Sequence, residues 1–208
     1  MLAALAIALL GASPAPATPT IGTVLQSIGN ARKGLTTYVV PVTMNGSIHE
    51  RHLAAFPWHG TGTEYYHAPD KQALQIVDFG RASAGFSNVV GSLGAPVTWS
   101  QTYAVSMQGT KAYAGRRDYV LIFAPRKSGD IKTVILLVNP NTWAVDSGTF
   151  SYYNGSSVSV TLSYGLNSYD LPVSANVSAR LPGFSDNVSI DYGTYRTNVP
   201  VPASAFQP

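Results

Sequence analysis

The stretch SYYNGSSVSVTLSY, Ser151 to Tyr164, decides the fold class. Its Asn154-Gly155 pair is a strong signal for a tight turn between two β-strands. Beyond the turn, polar and apolar residues alternate strictly, and such a period of two is typical of a strand with one buried face and one face in water. The apolar set is Val158, Val160, Leu162 and Tyr164, and the polar set is Ser157, Ser159, Thr161 and Ser163.

Strand patterns recur along most of the chain, separated by turns rich in Gly, Asn, Asp and Pro. Asn45-Gly46 predicts a tight hairpin between the first two strands. Because successive strands are joined by short turns, the pattern predicts an antiparallel meander and not a parallel α/β sheet. The predicted strands are 38–44, 47–56, 60–67, 72–78, 97–107, 118–124, 131–138, 143–153, 157–164, 173–181 and 188–195.

Two segments have helical spacing instead. Apolar residues recur every three or four positions from Ile21 to Leu35, which predicts a helix near 20–33 that Gly34 ends. A second short helix is predicted at 83–93, where Phe86 and Val89 lie on its apolar side.

The middle strands YVLIFA (119–124) and VILLV (134–138) are apolar on both faces, so both faces need a cover. The two helices can cover one face by layer packing. A sheet of about ten strands also curls strongly through its own twist. The sequence therefore predicts an α+β, mainly β fold, in which a curved antiparallel sheet encloses a volume with a helix pair across its mouth.

Composition excludes several functional classes. Charged residues make up 11% of the 208 residues, and the net charge is +3 without a dense basic run, so no nucleic-acid partner is expected. There is no cysteine, which excludes disulfides and thiol nucleophiles.

The first stretch, MLAALAIALLGASPAPATP, predicts a signal peptide at 1–17, cleaved after Ala17. The apolar run is too short to cross a bilayer as a helix, and the alternative is a short buried helix. The remaining chain, 18–208, is expected to be a single domain of an exported periplasmic protein.

Three stretches together resemble the outer-membrane lipoprotein carrier (LolA/LolB-like) family. GTEYYHAPDKQAL (62–74) resembles its strand, Pro-x-Lys turn, strand hairpin. LLVNPNTWAVDSGTFSYYNGSSVSVTLSY (136–164) is similar to its strand, Asn/Asp-Pro-x-Thr turn and paired strands. LPVSANVSARLPGFSDNVSIDYGTYRTNVPVPASAF (171–206) is similar to its closing Leu-Pro strand and Pro-containing exit. The resemblance extends from about Ile21 to Phe206.

The resemblance implies an incomplete (half) β-barrel with short helices as a lid, around a hydrophobic cavity for lipoprotein acyl chains or lipids. It also implies a role in outer-membrane lipoprotein sorting and transport, with an inner-membrane transporter and an outer-membrane receptor as partners of a monomer. The missing cysteine favours the soluble carrier over a lipid-anchored receptor.

Candidate lipid-binding residues come from the apolar sides of the predicted elements, and ordinary core packing is the alternative for each. The candidates are Tyr38, Val40, Tyr65, Leu74, Ile76, Phe86, Val89, Trp99, Tyr103, Leu121, Phe123, Ile135, Leu137, Val160 and Leu162.

No catalytic, metal or cofactor site is predicted. On a strand, the odd spacing of His49 and His52 sends them to opposite faces. No G-x-S-x-G nucleophile elbow occurs, and the aspartates mostly suit turns. The leading interpretation is a non-enzymatic carrier. The alternatives are an exported structural or protein-interaction module with a filled interior, similar to an envelope-stress sensor, a small outer-membrane barrel, and an exported hydrolase.

Overall fold

Ten antiparallel strands form one curved sheet in the computed structural model, which describes residues 18–50, 54–69, 71–77 and 96–206. The predicted signal peptide at 1–17 and the predicted helix at 83–93 lie outside these residues. The strands are β1 (Thr37–Glu50), β2 (Phe56–His67), β3 (Lys71–Val77), β4 (Tyr103–Tyr113), β5 (Arg116–Pro125), β6 (Ile131–Val138), β7 (Val145–Tyr152), β8 (Ser157–Tyr164), β9 (Pro172–Leu181) and β10 (Phe184–Tyr192).

The strand order is β3-β2-β1-β10-β9-β8-β7-β6-β5-β4, and a short β11 (Arg196–Thr197) pairs with the start of β1. Neighbours along this order are consecutive in the chain except β1 and β10, so β1 pairs with the late strands β10 and β11. Strands β3 and β4 form the two edges, so the described strands do not close on themselves. The predicted mainly β fold with an incomplete barrel is confirmed.

Helix α1 (Ile21–Ala31) begins as the sequence indicates. The hydroxyl of Thr20 caps it by accepting a hydrogen bond from the backbone N–H of Thr23 at 3.2 Å. Gly34 follows the helix with a φ of +88°, a left-handed conformation that glycine adopts readily. Val24 and Ile28 are buried, so this helix covers part of one face of the sheet, which we call the inner face.

Helix α2 (Pro96–Thr102) corrects the predicted strand 97–107, because β4 starts only at Tyr103. Proline suits the first turn of a helix. The Trp99 ring packs edge-on against Phe123 with centroids 5.2 Å apart. Local periodicity cannot predict this contact, because Phe123 lies on another strand.

The predicted hairpin at Asn45-Gly46 is wrong, because β1 runs straight through it. Gly46 pairs with Val188 of β10 on one side and with Trp58 of β2 on the other. The Trp58 ring lies against Gly46, where any side chain would overlap it. Glycine here permits a close approach within the sheet and not a turn.

The core lies on the inner face and follows strand alternation. In β8, Val158 and Val160 are buried while Ser163 is exposed, as the opening stretch predicts. The largest buried core side chains include Phe150, Met44, Leu121, Leu136 and Ile190.

Candidate functional site: an apolar cavity on the inner face

Within the described residues, two hollows on the inner face lie at opposite ends of the strands. The first, which we call the polar pocket, has a volume of about 240 Å³ and lies where β1 begins, between Tyr38, Tyr66 and helix α1. The second, which we call the apolar cavity, has a volume of about 640 Å³ and lies where β1 ends and β10 begins. The two differ in size and in chemistry.

The apolar cavity is built by alternation along several strands of the sheet. Its walls include Met44 and Ile48 of β1, Ile76 of β3, and the residues that face them from β8, β9 and β10. Trp58 crosses the floor, and two glycines give it room: a side chain at Gly46 would overlap its ring, and one at Gly60 would lie 3.4 Å from it. The facing residues from β8, β9 and β10 include Val158, Val177, Ala179 and Val188.

Large apolar side chains are exposed beside this cavity. Phe184 and Tyr153 line it and are 37% and 69% exposed, and Phe56, which pairs with Ile48 of the wall, is exposed as well. Exposed apolar residues beside a cavity mark binding sites for apolar partners. The cavity and its rim together suit an amphiphile that enters from this end.

The polar pocket is organised around the carboxyl group of Glu64, which is 3% exposed. Tyr38 donates a short hydrogen bond to it, and the side-chain amide of Gln72 donates another at 2.7 Å. Burial raises the pKa of Glu64 above its ordinary value, although these two hydrogen bonds oppose the rise. Burial and the nearby Glu64 raise the pKa of Tyr38 and Tyr192 as well.

Aromatic packing fills most of this end. The Tyr38 ring stacks on Tyr66 at 5.2 Å and meets Tyr195 edge-on at 5.3 Å. Helix α1 lies beside the same region, where Ile28 and Ala31 line the polar pocket. The polar pocket is therefore a small residual space beside a packed and hydrogen-bonded cluster.

A second buried polar cluster lies on the opposite, outer face. Arg116 pairs with Asp118 at 2.9 Å and with Asp146, and its guanidinium lies 5.8 Å from the ring centre of Tyr113. Burial and the neighbouring Asp118 carboxyl raise the pKa of Asp146 to about 6, against the opposing effect of Arg116. Two buried carboxyls thus share one cation.

Most predicted lining residues do lie on the inner face. Ile76 is the one that lines the apolar cavity among those within the described ranges. Tyr38, Trp99 and Leu162 line the polar pocket. The others on this face, Val40, Leu74, Tyr103, Leu121, Phe123 and Val160, belong to the packed core or lie against it.

Three predicted lining residues have the wrong orientation. Tyr65 pairs with Val39 and Ala73 on the outer face, and its neighbour Tyr66 faces inward. Ile135 and Leu137 alternate with the core residues of β6 and also face outward. Where two aromatic residues are adjacent, or where a strand is apolar throughout, a shift of one residue in the assumed alternation reverses the face that each side chain takes. The local sequence does not reveal such a shift. Phe86 and Val89 lie outside the described residues.

Several residues that line the cavity are not among the predicted lining residues. Val177 and Ala179 could have been predicted, because they lie on one face of the predicted strand 173–181 by alternation. Met44 and Ile48 were hidden by the incorrect hairpin, because it separated them into two strands.

Within the described part of the chain, no group of three or more His, Cys, Asp and Glu residues could hold a metal ion. No helix in those ranges is long and apolar enough to cross a membrane.

No protein-family model matches the sequence, and no curated protein matches it. Solved structures do match it. A LolA superfamily protein from Nitrosomonas europaea superposes with a TM-score of 0.58 at 12% identity, covering 92% of this chain and 99% of the other.

Two further structures have similar architecture. A domain described as a candidate for outer membrane lipoprotein sorting, from Vibrio parahaemolyticus, has a TM-score of 0.62 at 10% identity, covering 88% of this chain and 94% of the other. A DUF1329 family protein from Desulfovibrio piger has a TM-score of 0.63 at 12% identity, covering 91% and 100%. Each superposition covers nearly the whole of the matched structure. The chain therefore has the LolA-like fold.

Proposed function

We propose that the protein is an exported, non-enzymatic carrier that holds the acyl chain of a lipid or lipoprotein in the apolar cavity. The observation that carries this proposal is the cavity itself: about 640 Å³, walled by Met44, Trp58, Val158 and Val177 and rimmed by exposed aromatic residues. Pockets that hold small molecules are about 300–1,000 Å³ in volume and mostly apolar.

The energetics suit reversible binding. Each buried methylene contributes about 0.8 kcal/mol, so about ten of them contribute roughly 8 kcal/mol before costs. Association and ordering remove at least about 4 kcal/mol. The remainder gives an affinity that a downstream acceptor can overcome, as carriage requires.

Export and partners complete the proposal. Residues 1–17 act as a signal peptide that is cleaved after Ala17, and 18–208 work as a single periplasmic domain. A role in outer-membrane lipoprotein sorting implies delivery between an inner-membrane transporter and an outer-membrane receptor. The fold shared with a candidate lipoprotein-sorting domain supports this placement.

The proposal can be tested by filling the cavity. Ala179 lines the wall and pairs with Val158 and Asp186. In Ala179→Trp the indole takes the space of the ligand, so binding of the uncharged fluorescent probe N-phenyl-1-naphthylamine should weaken by about tenfold or more. Probe fluorescence measures this directly.

Ser178→Trp is the matched control, because the adjacent Ser178 is exposed on the outer face of the same strand. This variant should bind the probe like the wild type. Equal binding by both variants, or no binding by the wild type, contradicts the proposal. Native mass spectrometry of the protein purified from its own envelope should show bound lipid.

A second candidate function is protein interaction through a sheet edge. Strand β4 has a neighbour on one side only, β5, among the described strands. An extended peptide can add to such an edge by main-chain hydrogen bonds. If this were the function, Ala179→Trp would leave partner capture intact while a proline in β4 would abolish it.

A further inference from the structure

The charges in the wall of the apolar cavity all have one sign. Asp130 and Asp186 line it, and no Lys, Arg or His belongs to the part of the wall that the structure describes. The chain as a whole carries a net charge of +3. The cavity is thus locally acidic within a basic protein.

Asp186 lies among the apolar residues. It faces inward from β10, between Ile48 and Ala179, and is half-buried. The indole N–H of Trp58 approaches its carboxylate at 3.5 Å. No basic nitrogen of the described chain lies within 4 Å of it.

Asp130 adds a second carboxylate from another direction. It precedes β6, whereas Asp186 is on β10, and strands β7, β8 and β9 lie between them in the sheet. The backbone carbonyl of Asp130 accepts a hydrogen bond from the N–H of Tyr153 at 3.0 Å, which ties this turn to the exposed rim. Asp130 itself is exposed at that rim.

A hydrocarbon chain bound beside Asp186 removes water from its carboxylate. Such desolvation is unfavourable unless the ligand supplies a hydrogen-bond donor or a positive charge. A ligand carboxylate or phosphate monoester there adds like-charge repulsion, whereas a primary ammonium donates a charge-assisted hydrogen bond and a quaternary ammonium supplies positive charge without one. The wall therefore favours one class of headgroup.

We infer that the apolar cavity selects amphiphiles whose headgroup is a primary or quaternary ammonium, and that Asp186 determines this specificity with Asp130 at the rim. The inference rests on the proposed function, since it concerns ligands of the same cavity. The apolar wall selects the ligand by the length of its tail, and the two aspartates select it by the charge of its headgroup.

The test uses three ligands with the same ten-carbon tail: decylammonium, decanoate and decanol, each below its micelle concentration at pH 7. Each competes with N-phenyl-1-naphthylamine for the purified protein. We expect decylammonium to displace the probe at an about tenfold lower concentration than decanoate, the scale of one partly screened ion pair. In Asp186→Asn this ratio should fall below about threefold, while displacement by decanol stays unchanged.

Asp191→Asn is the matched control, because Asp191 is exposed on the outer face of the same strand. It should keep the wild-type ratio. If decanol displaces the probe but the two charged ligands act alike, or if Asp186→Asn keeps the full ratio, the inference is overturned and the proposed function stands. If no ligand displaces the probe, the proposed function itself fails and this inference fails with it.

Discussion

The two ends of the β1–β2 pair differ in side-chain size, although the backbone pairing continues along their full shared length. At the polar end, the inner-facing residues are Tyr38, Glu64 and Tyr66, and they fill the space with rings and hydrogen bonds. At the other end, Gly46 and Gly60 occupy the equivalent inner positions. The Trp58 ring lies in the space that these glycines leave and forms the cavity floor, so the sheet is continuous beneath the cavity.

Under the proposed function, this difference separates two tasks. The hydrogen bonds and stacked rings of the polar end stabilise the fold, while the cavity end keeps apolar surface for a ligand. Changes at the polar end should therefore alter stability with little effect on binding, and changes at the cavity end should alter binding first.

The largest expected effect is on stability, from Glu64→Ala. The change leaves the donors of Tyr38 and Gln72 without their acceptor in a buried cluster and creates a cavity. We expect a loss of about 3–5 kcal/mol in the free energy of unfolding, measured by urea denaturation.

Two variants calibrate that loss. Glu64→Gln keeps an acceptor and the side-chain volume, so it should cost only about 1–2 kcal/mol. Glu50→Gln, an exposed position at the end of β1, should cost less than about 0.5 kcal/mol. If Glu64→Ala retained stability but lost probe binding, the assignment of separate tasks to the two ends would be reversed.

A smaller effect is expected from Gly46→Ala at the cavity end. The new methyl group overlaps the Trp58 ring, which must move into the cavity. Overpacking of this kind costs about 1–3 kcal/mol, and the displaced ring should also weaken probe binding. Urea denaturation and probe fluorescence together measure both effects.

Gly129→Ala is the control, because a methyl group at Gly129 meets no other atom within 4 Å. Its stability and probe binding should match the wild type. Wild-type binding in Gly46→Ala would show that Trp58 does not form the cavity floor in solution.

The sequence predicts the fold better than it predicts the site, and Gly46 shows why. Strand alternation is a local property, so β8 and its buried valines follow directly from SVSVTLSY. The meaning of Asn45-Gly46 depends on Trp58, which lies twelve residues away and on another strand. A turn and a close packing contact use the same dipeptide, and only the tertiary partner distinguishes them.

The candidate site is harder still, because a cavity is defined by space that side chains leave. Periodicity identifies inner positions, and it does so for Val160 and Leu121, but both belong to the filled core. Which inner positions border a hollow depends on the sizes of residues on three or four strands at once. Tyr65 and Tyr66 show a second difficulty, which is the assignment of each residue to a face of the sheet. Because the two tyrosines are adjacent, the local sequence does not indicate which of them faces inward.

The smallest expected effect concerns pH and the outer-face cluster beside the polar end. The pKa of Asp146 is about 6 in the folded protein, above the ordinary value of 3.8, so the folded state holds this proton more tightly than the unfolded state does. Its contribution to stability is therefore full below about pH 4 and is lost as the pH rises to about 6. Arg116, Asp118, Tyr113 and Tyr164 are charged or titratable groups of the described chain that interact with it.

Asp146→Asn should flatten this pH dependence, because asparagine cannot titrate but still accepts the hydrogen bond from Arg116. After allowance for solvent screening, we expect the wild type to lose about 1 kcal/mol more than the variant between pH 4 and pH 6.5, measured by urea denaturation. A residual slope in the variant is expected from Glu64, whose pKa is raised in the same direction. Asp191→Asn, at an exposed position, should keep the wild-type dependence of stability on pH. If Asp146→Asn showed the same pH dependence as the wild type, protonation of Asp146 would not contribute to stability.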